Sequence, residues 1–257
     1  MSLLSAVILG IVEGITEFLP ISSTGHLILA GRALGLPDTE FLKSFDIAIQ
    51  LGAIAAAVLV YWKMIIGNKK LWLTVTAAFI PTGIIGLLLH GFVKAHLLGN
   101  VSVVALSLLI GGIVLIVFEK FHHDTSATVL EAKDISVPQA ILIGTSQALA
   151  LIPGVSRSAA TVICGMAVGI RRSAIVDFSF LLAIPTMAAA TGLDLMKTGW
   201  MFSSHDLTAL GIGFVVSFVT AYAAIRWLLS YVRSHTFAAF GIYRIALAAV
   251  VWVFMIR

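Results

Sequence analysis

The chain has 257 residues, 60% of them hydrophobic and only 11% charged, with a formal net charge of +4 and a mean hydropathy of +1.09. Soluble domains carry about 25% charged residues, and one globule of this size cannot bury so much apolar surface. Composition therefore excludes a soluble enzyme, gives no sign of a nucleic-acid partner, and indicates a single integral membrane domain over residues 1–257.

The opening stretch, "MSLLSAVILGIVEG", lacks a basic leader region and a clear cleavage site, so it does not read as a removable signal peptide. Residues 1–34 are apolar at both ends and broken in the middle by "EFLPISSTGH". Non-helical backbone at membrane depth survives only inside protein or beside a wet cavity. The stretch therefore reads as a re-entrant helix–loop–helix hairpin. A bilayer core needs about 20 apolar residues per helix, and segments 42–62, 71–91 and 101–118 supply three spans. The polar run at 119–137 reads as a solvated linker between two halves. Its neighbours His122 and His123 would point apart on a helix, which disfavours a metal site there. Residues 138–170 repeat the broken pattern around "IPGVSRSAAT", and 174–196, 206–230 and 237–256 supply three further spans. The single cysteine, Cys164, excludes an intrachain disulfide and reads as a packing residue.

The halves, about 1–118 and 138–257, form a weak internal repeat. Pro20 and Phe45 recur as Pro153 and Phe178 at a common offset of 133 residues. Three spans, an odd number, separate equivalent points, so the expected fold is all-α, with six transmembrane helices and two re-entrant hairpins in inverted-topology repeats. If the 63–70 loop is cytoplasmic, nine Lys and Arg lie inside (63, 69, 70, 120, 133, 171, 172, 226, 233) and five outside (32, 43, 94, 197, 257). The bias favours that orientation. It places both termini outside and brings the hairpin tips together near the midplane. Arg157 and Arg244 are left out of this count as intramembrane.

The breaks hold the chemistry. Glu13 and Glu17 are four apart and share a helix face. They are either a polar helix end at the interface or a site for a divalent cation or a moving proton, because paired carboxylates in an apolar helix need one or the other. Ser22, Ser23 and Thr24 follow Pro20. They can cap the next helix, and its free amides can bind phosphate. His26 lies three residues after Ser23, within reach as an acid or base if the loop is compact. Arg157, flanked by Ser156 and Ser158 after Pro153–Gly154, suits an oxyanion clamp. It also suits a structural pair with Glu13 or Glu17, and the two readings are compatible. Together the set fits phosphoryl transfer or hydrolysis of an anionic, lipid-tailed substrate. No P-loop, dinucleotide glycine pattern or HExxH motif occurs.

At "EGITEFLPISSTGH" and "PGVSRSAAT" the sequence closely resembles the undecaprenyl-diphosphate phosphatase family of bacterial inner-membrane enzymes, also called bacitracin-resistance proteins. "FDIAIQLGAIAAAVLVYW", "FSFLLAIPTM" and "FGIYRIAL" extend the resemblance over essentially the whole chain. It implies hydrolysis of undecaprenyl diphosphate to undecaprenyl phosphate and inorganic phosphate, recycling the carrier lipid for peptidoglycan and other envelope polymers. It also implies an active site open to the periplasm and dependence on Mg²⁺ or Ca²⁺. Carried over by residue, Glu13 and Glu17 form the acidic motif for cation binding or water activation. Ser23 matches the proposed nucleophile, His26 the acid/base, and Ser156 with Arg157 the diphosphate-binding pair. Ser22, Thr24 and Ser158 are further substrate-binding candidates, and membrane lipids and a second copy of the chain are the other expected partners. Ala159 stands where the family often has glycine, a one-methyl departure. The competing reading is an inverted-repeat transporter or flippase of a phosphate-bearing lipid. A purely structural subunit would leave Glu13, Glu17, His26 and Arg157 unexplained in an apolar chain.

Overall fold

A computed structural model describes residues 1–37, 39–97, 99–122, 127–198 and 204–256. Among them the fold is helical, and the only β-type contact is an isolated bridge between Val129 and Ile170. The first half runs α1 (Leu3–Thr16), a break, α2 (Ser23–Ala33), then the long helices α3 (Glu40–Gly67), α4 (Lys69–His96) and α5 (Val101–Phe121). The second half repeats the order with α6 (Val137–Gln147), a 3₁₀ turn and break, α7 (Arg157–Ala167), α8 (Arg172–Thr198), α9 (Ser204–Tyr231) and α10 (Ala238–Val251), which runs on as a π-helical turn over Trp252–Ile256. Six helices are long and apolar enough to cross a membrane, and they coincide with the six expected spans. The expected breaks are also present, each between two short helices that pack on one another.

The short helices are seated by small residues. α1 packs along α9 and α6 along α4. Thr220 of α9 donates to the Gly10 carbonyl of α1 at 3.4 Å, and Thr82 of α4 donates to the Gly144 carbonyl of α6 at 2.6 Å. A Cβ on Gly14 would come within 2.0 Å of Thr220 Oγ1, and one on Gly144 within 1.8 Å of the Ala78 carbonyl oxygen. Glycine is therefore the only residue that permits these approaches, as in other close membrane helix crossings. Gln147 donates to Thr82 and Thr186 at 3.0 and 3.1 Å, tying α6 to both α4 and α8.

The main core lies around α8, whose span window is 61% buried against 28–39% for the other five. Phe18, in the first break, meets Phe180 of α8 edge-on at 4.8 Å and fixes the break against the core. Outward faces carry residues such as Leu87, Leu88 and Phe92, in keeping with a lipid-facing surface. A buried ion pair, Glu119–Arg172 at 2.7 Å, joins α5 to α8, and Glu119 also accepts from the Phe237 amide at 2.9 Å just before α10.

The linker is less solvated than its polarity suggests. Thr128, Val129 and Arg171 exchange backbone hydrogen bonds around Gly169, and Ala132 and Ile135 are buried in the main core. The few apolar residues in this stretch anchor it. His122 stacks on Phe118 at the end of α5, while His123 lies outside the described residues.

Gly144→Ala is expected to lower the thermal unfolding midpoint in detergent by several degrees, since overpacking a tight contact costs about 1–3 kcal/mol. Gly67→Ala, with nothing within 4 Å of its added Cβ, should leave the midpoint unchanged. Equal midpoints for the two variants would show that α4 and α6 do not approach this closely.

Candidate active site

Each break ends in a capped helix with an unusual first residue. Ser22 caps α2 by accepting from the Gly25 amide at 3.3 Å, and Ser156 caps α7 by accepting from the Ala159 amide at 3.3 Å. Both hold positive φ, 71° and 77°, and they are the only non-glycine residues to do so among the described ones. Such backbone costs about 1–3 kcal/mol and persists only where the surroundings enforce it. The first two amides of each helix, at Ser23 and Thr24 and at Arg157 and Ser158, have no acceptor within their own helix. They form two partial positive ends suited to an anion.

The two breaks meet. Arg157 Nη2 donates to Glu17 Oε1 at 3.1 Å, with the side chains 10% and 6% exposed. Ser23 Oγ donates to the other oxygen of the same carboxylate. Arg157 Nη1 is held by the Ser179 carbonyl at 2.8 Å, and its Nε is buried with no hydrogen-bond partner among the described residues. Ser158 donates to the Leu19 carbonyl at 2.9 Å and lies 3.1 Å from Ser156 Oγ. Glu17, Ser23, Ser156, Arg157 and Ser158 thus form one cluster. Thr24 is half-buried on the first turn of α2 and takes no part in these contacts.

Glu13 is fully buried, and neither of its oxygens has a hydrogen-bond partner among the described residues. Glu17, Asp46 of α3 and Arg157 all lie near enough for their charges to act on it. Among the described residues no group of three or more His, Cys, Asp or Glu could hold a metal ion by itself. A Mg²⁺-type site needs only one or two carboxylates when substrate phosphates and water complete the shell. The orphaned Glu13 oxygens, with Glu17 one helical turn away, fit that kind of site.

Both ring nitrogens of His26 are bonded to groups other than Ser23. Its Nδ1 lies 2.7 Å from the Ser22 carbonyl and must donate to it, which leaves Nε2 to accept from Tyr243 Oη at 2.8 Å when the ring is neutral. The group bonded to Ser23 Oγ is Glu17 rather than His26. Residue types and spacing did not point to Tyr243, Asp46, Ser179 or Thr161, whose hydroxyl meets that of Ser179 at 2.7 Å.

Arg244 is the other residue whose role emerges only in three dimensions. It is fully buried, and all five of its N–H groups point to backbone carbonyls: Leu108 (3.5 Å), Pro20 (3.2 Å), Val155 (3.0 Å), Ser107 (3.1 Å) and Gly154 (2.9 Å). One nitrogen, Nη1, bonds both breaks at once. Gly111 of α5 leaves it room, because a Cβ there would come within 2.1 Å of Nη2.

Sequence similarity to known proteins runs over nearly the whole chain. The family model described as "Bacitracin resistance protein BacA" matches residues 6–250. The undecaprenyl-diphosphatase of Aquifex aeolicus is 49% identical over 245 residues, 95% of this chain and 95% of the relative. The undecaprenyl-diphosphatase of Wolinella succinogenes is 46% identical, covering 97% of each chain. That of Thermus thermophilus is 45% identical, covering 98% of this chain and 97% of the relative. The matched region takes in both breaks and nearly every described helix, and the chain belongs to the bacitracin resistance protein BacA family.

Proposed function

We propose that the protein is an undecaprenyl-diphosphate phosphatase. It hydrolyses undecaprenyl diphosphate to undecaprenyl phosphate and inorganic phosphate, returning the carrier lipid to peptidoglycan and envelope polymer synthesis. The observation that carries the chemistry is the shared Glu17 carboxylate, bonded on one side to the Ser23 hydroxyl and on the other to Arg157 of the opposite hairpin. A nucleophile, a base and an anion clamp are thereby joined inside an apolar fold.

In this reading the terminal phosphate sits against the Arg157 guanidinium, whose buried Nε has no hydrogen-bond partner among the described residues, and against the open amides of α2 and α7. Ser23 Oγ attacks the terminal phosphorus while Glu17 takes its proton. The bond from phosphorus to the bridging oxygen breaks, undecaprenyl phosphate leaves, and water then releases phosphate from Ser23. Glu17 could equally deprotonate a water for direct attack. As the acid, His26 would act in its charged form, giving the departing lipid phosphate a proton from Nε2 while Nδ1 donates to the Ser22 carbonyl. Glu13, with Glu17, would hold Mg²⁺ or Ca²⁺, which supplies charge neutralisation for the diphosphate when bound.

The recurring element order and the matched pairs α1 with α9 and α6 with α4 support two inverted repeats with re-entrant hairpins. The charge count supports an orientation with both termini outside; a site open to the periplasmic side of the bacterial inner membrane is what the family resemblance implies. Paired breaks between two such halves are also transporter architecture, so turnover must be measured directly.

Purified protein with Mg²⁺ or Ca²⁺ is expected to release inorganic phosphate from undecaprenyl diphosphate and to stop with chelator. Arg157→Ala, as loss of a group that stabilises transition-state charge, and Glu17→Gln, as loss of the general base, should each cost at least about a hundredfold in kcat. Lipid movement across vesicles without phosphate release would favour the carrier. Substrate labelled in its terminal phosphate should leave acid-stable label on wild type and none on Ser23→Ala; full activity in Ser23→Ala would instead assign the attack to water. Glu13→Gln is expected to raise the cation concentration needed for half-maximal rate while leaving thermal stability in chelator equal or higher. An unchanged cation response would remove Glu13 from the cation site.

A further inference from the structure

Beside the polar cluster a groove of about 280 Å³ runs between α2 and α10. Its wall on α2 is Leu29, Ala30 and Ala33, in helical register with His26 at i+3, i+4 and i+7. Its facing wall on α10 includes Leu247, Val250 and Val251, in register with Tyr243 at i+4, i+7 and i+8. His26 is the sole polar residue in the lining, and its Nε2 is bonded to Tyr243 Oη at 2.8 Å. The groove exists for two reasons. α10 is drawn to α5 instead of α2, because Gly112 and Gly241 let those backbones approach: a Cβ on either would lie 2.7–2.8 Å from the other's carbonyl oxygen. Ala30 and Ala33 then leave the α2 side shallow.

We propose that this groove seats the isoprenoid units next to the diphosphate. The inference rests on the functional reading above and adds the location of the lipid chain. Direction carries it. The phosphate end lies at the N-terminus of α2, where Ser23 meets Glu17 and Arg157. The groove starts one turn later at His26 and follows the same helix for seven residues, about 10 Å at 1.5 Å per residue. With the terminal phosphate at Ser23, the phosphate that carries the chain lies one bridging oxygen further along α2, and its chain passes the His26–Tyr243 pair into the apolar groove. The pair marks the boundary between the polar and apolar parts of the substrate. Val250 is 53% exposed, so the far wall opens to the surface and the rest of a long chain can leave into lipid. A mostly apolar cleft with one polar end is the usual form of a site for such a ligand.

The test uses a farnesyl diphosphate analogue with a photoreactive diazirine in its first isoprene unit and the full-length wild-type protein. Label is expected on residues 26–33 and 247–254 and should be lost when undecaprenyl diphosphate competes. Label elsewhere, or label in the groove that undecaprenyl diphosphate does not displace, would mean that the groove holds ordinary membrane lipid and would overturn the proposal. Kinetics give a second reading. Ala33→Phe, which fills the groove, should raise KM for both farnesyl and undecaprenyl diphosphate about tenfold with kcat little changed, the pattern of lost uniform binding. An unchanged KM for both would also overturn it. Labelling needs no turnover. Displaceable groove label on a protein that releases no phosphate would therefore sink the phosphatase reading and leave the chain site standing.

Discussion

The arrangement depends on one buried cation that has no carboxylate. Arg244 places all five donors on main-chain carbonyls from three separate parts of the chain. A guanidinium is costly at membrane depth, about 2.5–3.5 kcal/mol even on permissive insertion scales. The cost is offset only if every donor is met. The carbonyls that meet them belong to Pro20, Gly154 and Val155, in the two breaks where helix hydrogen bonding has failed, and to Ser107 and Leu108 of α5. Broken backbone in an apolar setting needs donors, and a buried arginine needs acceptors. Each resolves the other's deficit, and together they hold the two breaks side by side.

The functional cluster follows from that constraint. With the breaks held together, Ser22 and Ser156 are kept in left-handed backbone that neither would adopt alone. That backbone sets the direction in which α2 and α7 start. Ser23 and Arg157 are the first residues of those helices, so their side chains converge on Glu17 from opposite hairpins. The Arg157–Glu17 pair is neutral as a unit, which lets it exist with little solvent. Glu13, to which no donor among the described residues is bonded, lacks that compensation. A cation beside it would restore the balance.

Much of this was legible in the chain. The six long helices have the period and length that lipid demands, and "FLPISST" and "IPGVSRS" announced the breaks through proline, glycine and hydroxyls. Glu13, Glu17 and Arg157 stood out because charge is expensive in such segments. Other features were not legible because they arise from partners far apart in sequence. The carbonyls around Arg244 lie 89 to 224 residues away, and a backbone acceptor leaves no mark on residue type. Spacing suggested that His26 could assist Ser23, yet the Ser22 carbonyl and Tyr243 turn the ring toward α10. The linker looked solvated because its polar residues outnumber apolar ones such as Ala132 and Ile135, which are buried. Positive φ at two serines had no local signal, since glycine is the residue that usually announces it.

Hydrogen–deuterium exchange of Arg244→Lys against wild type, both in detergent, tests most directly whether one cation holds the breaks together. Lysine keeps the charge but has three donors at one point in place of a five-donor fork. Amide exchange is expected to rise together in residues 19–25 and 153–159, while the middles of α3, α8 and α9 keep their protection. Unchanged protection at both breaks, or a rise at one alone, would contradict the claim that Arg244 joins them.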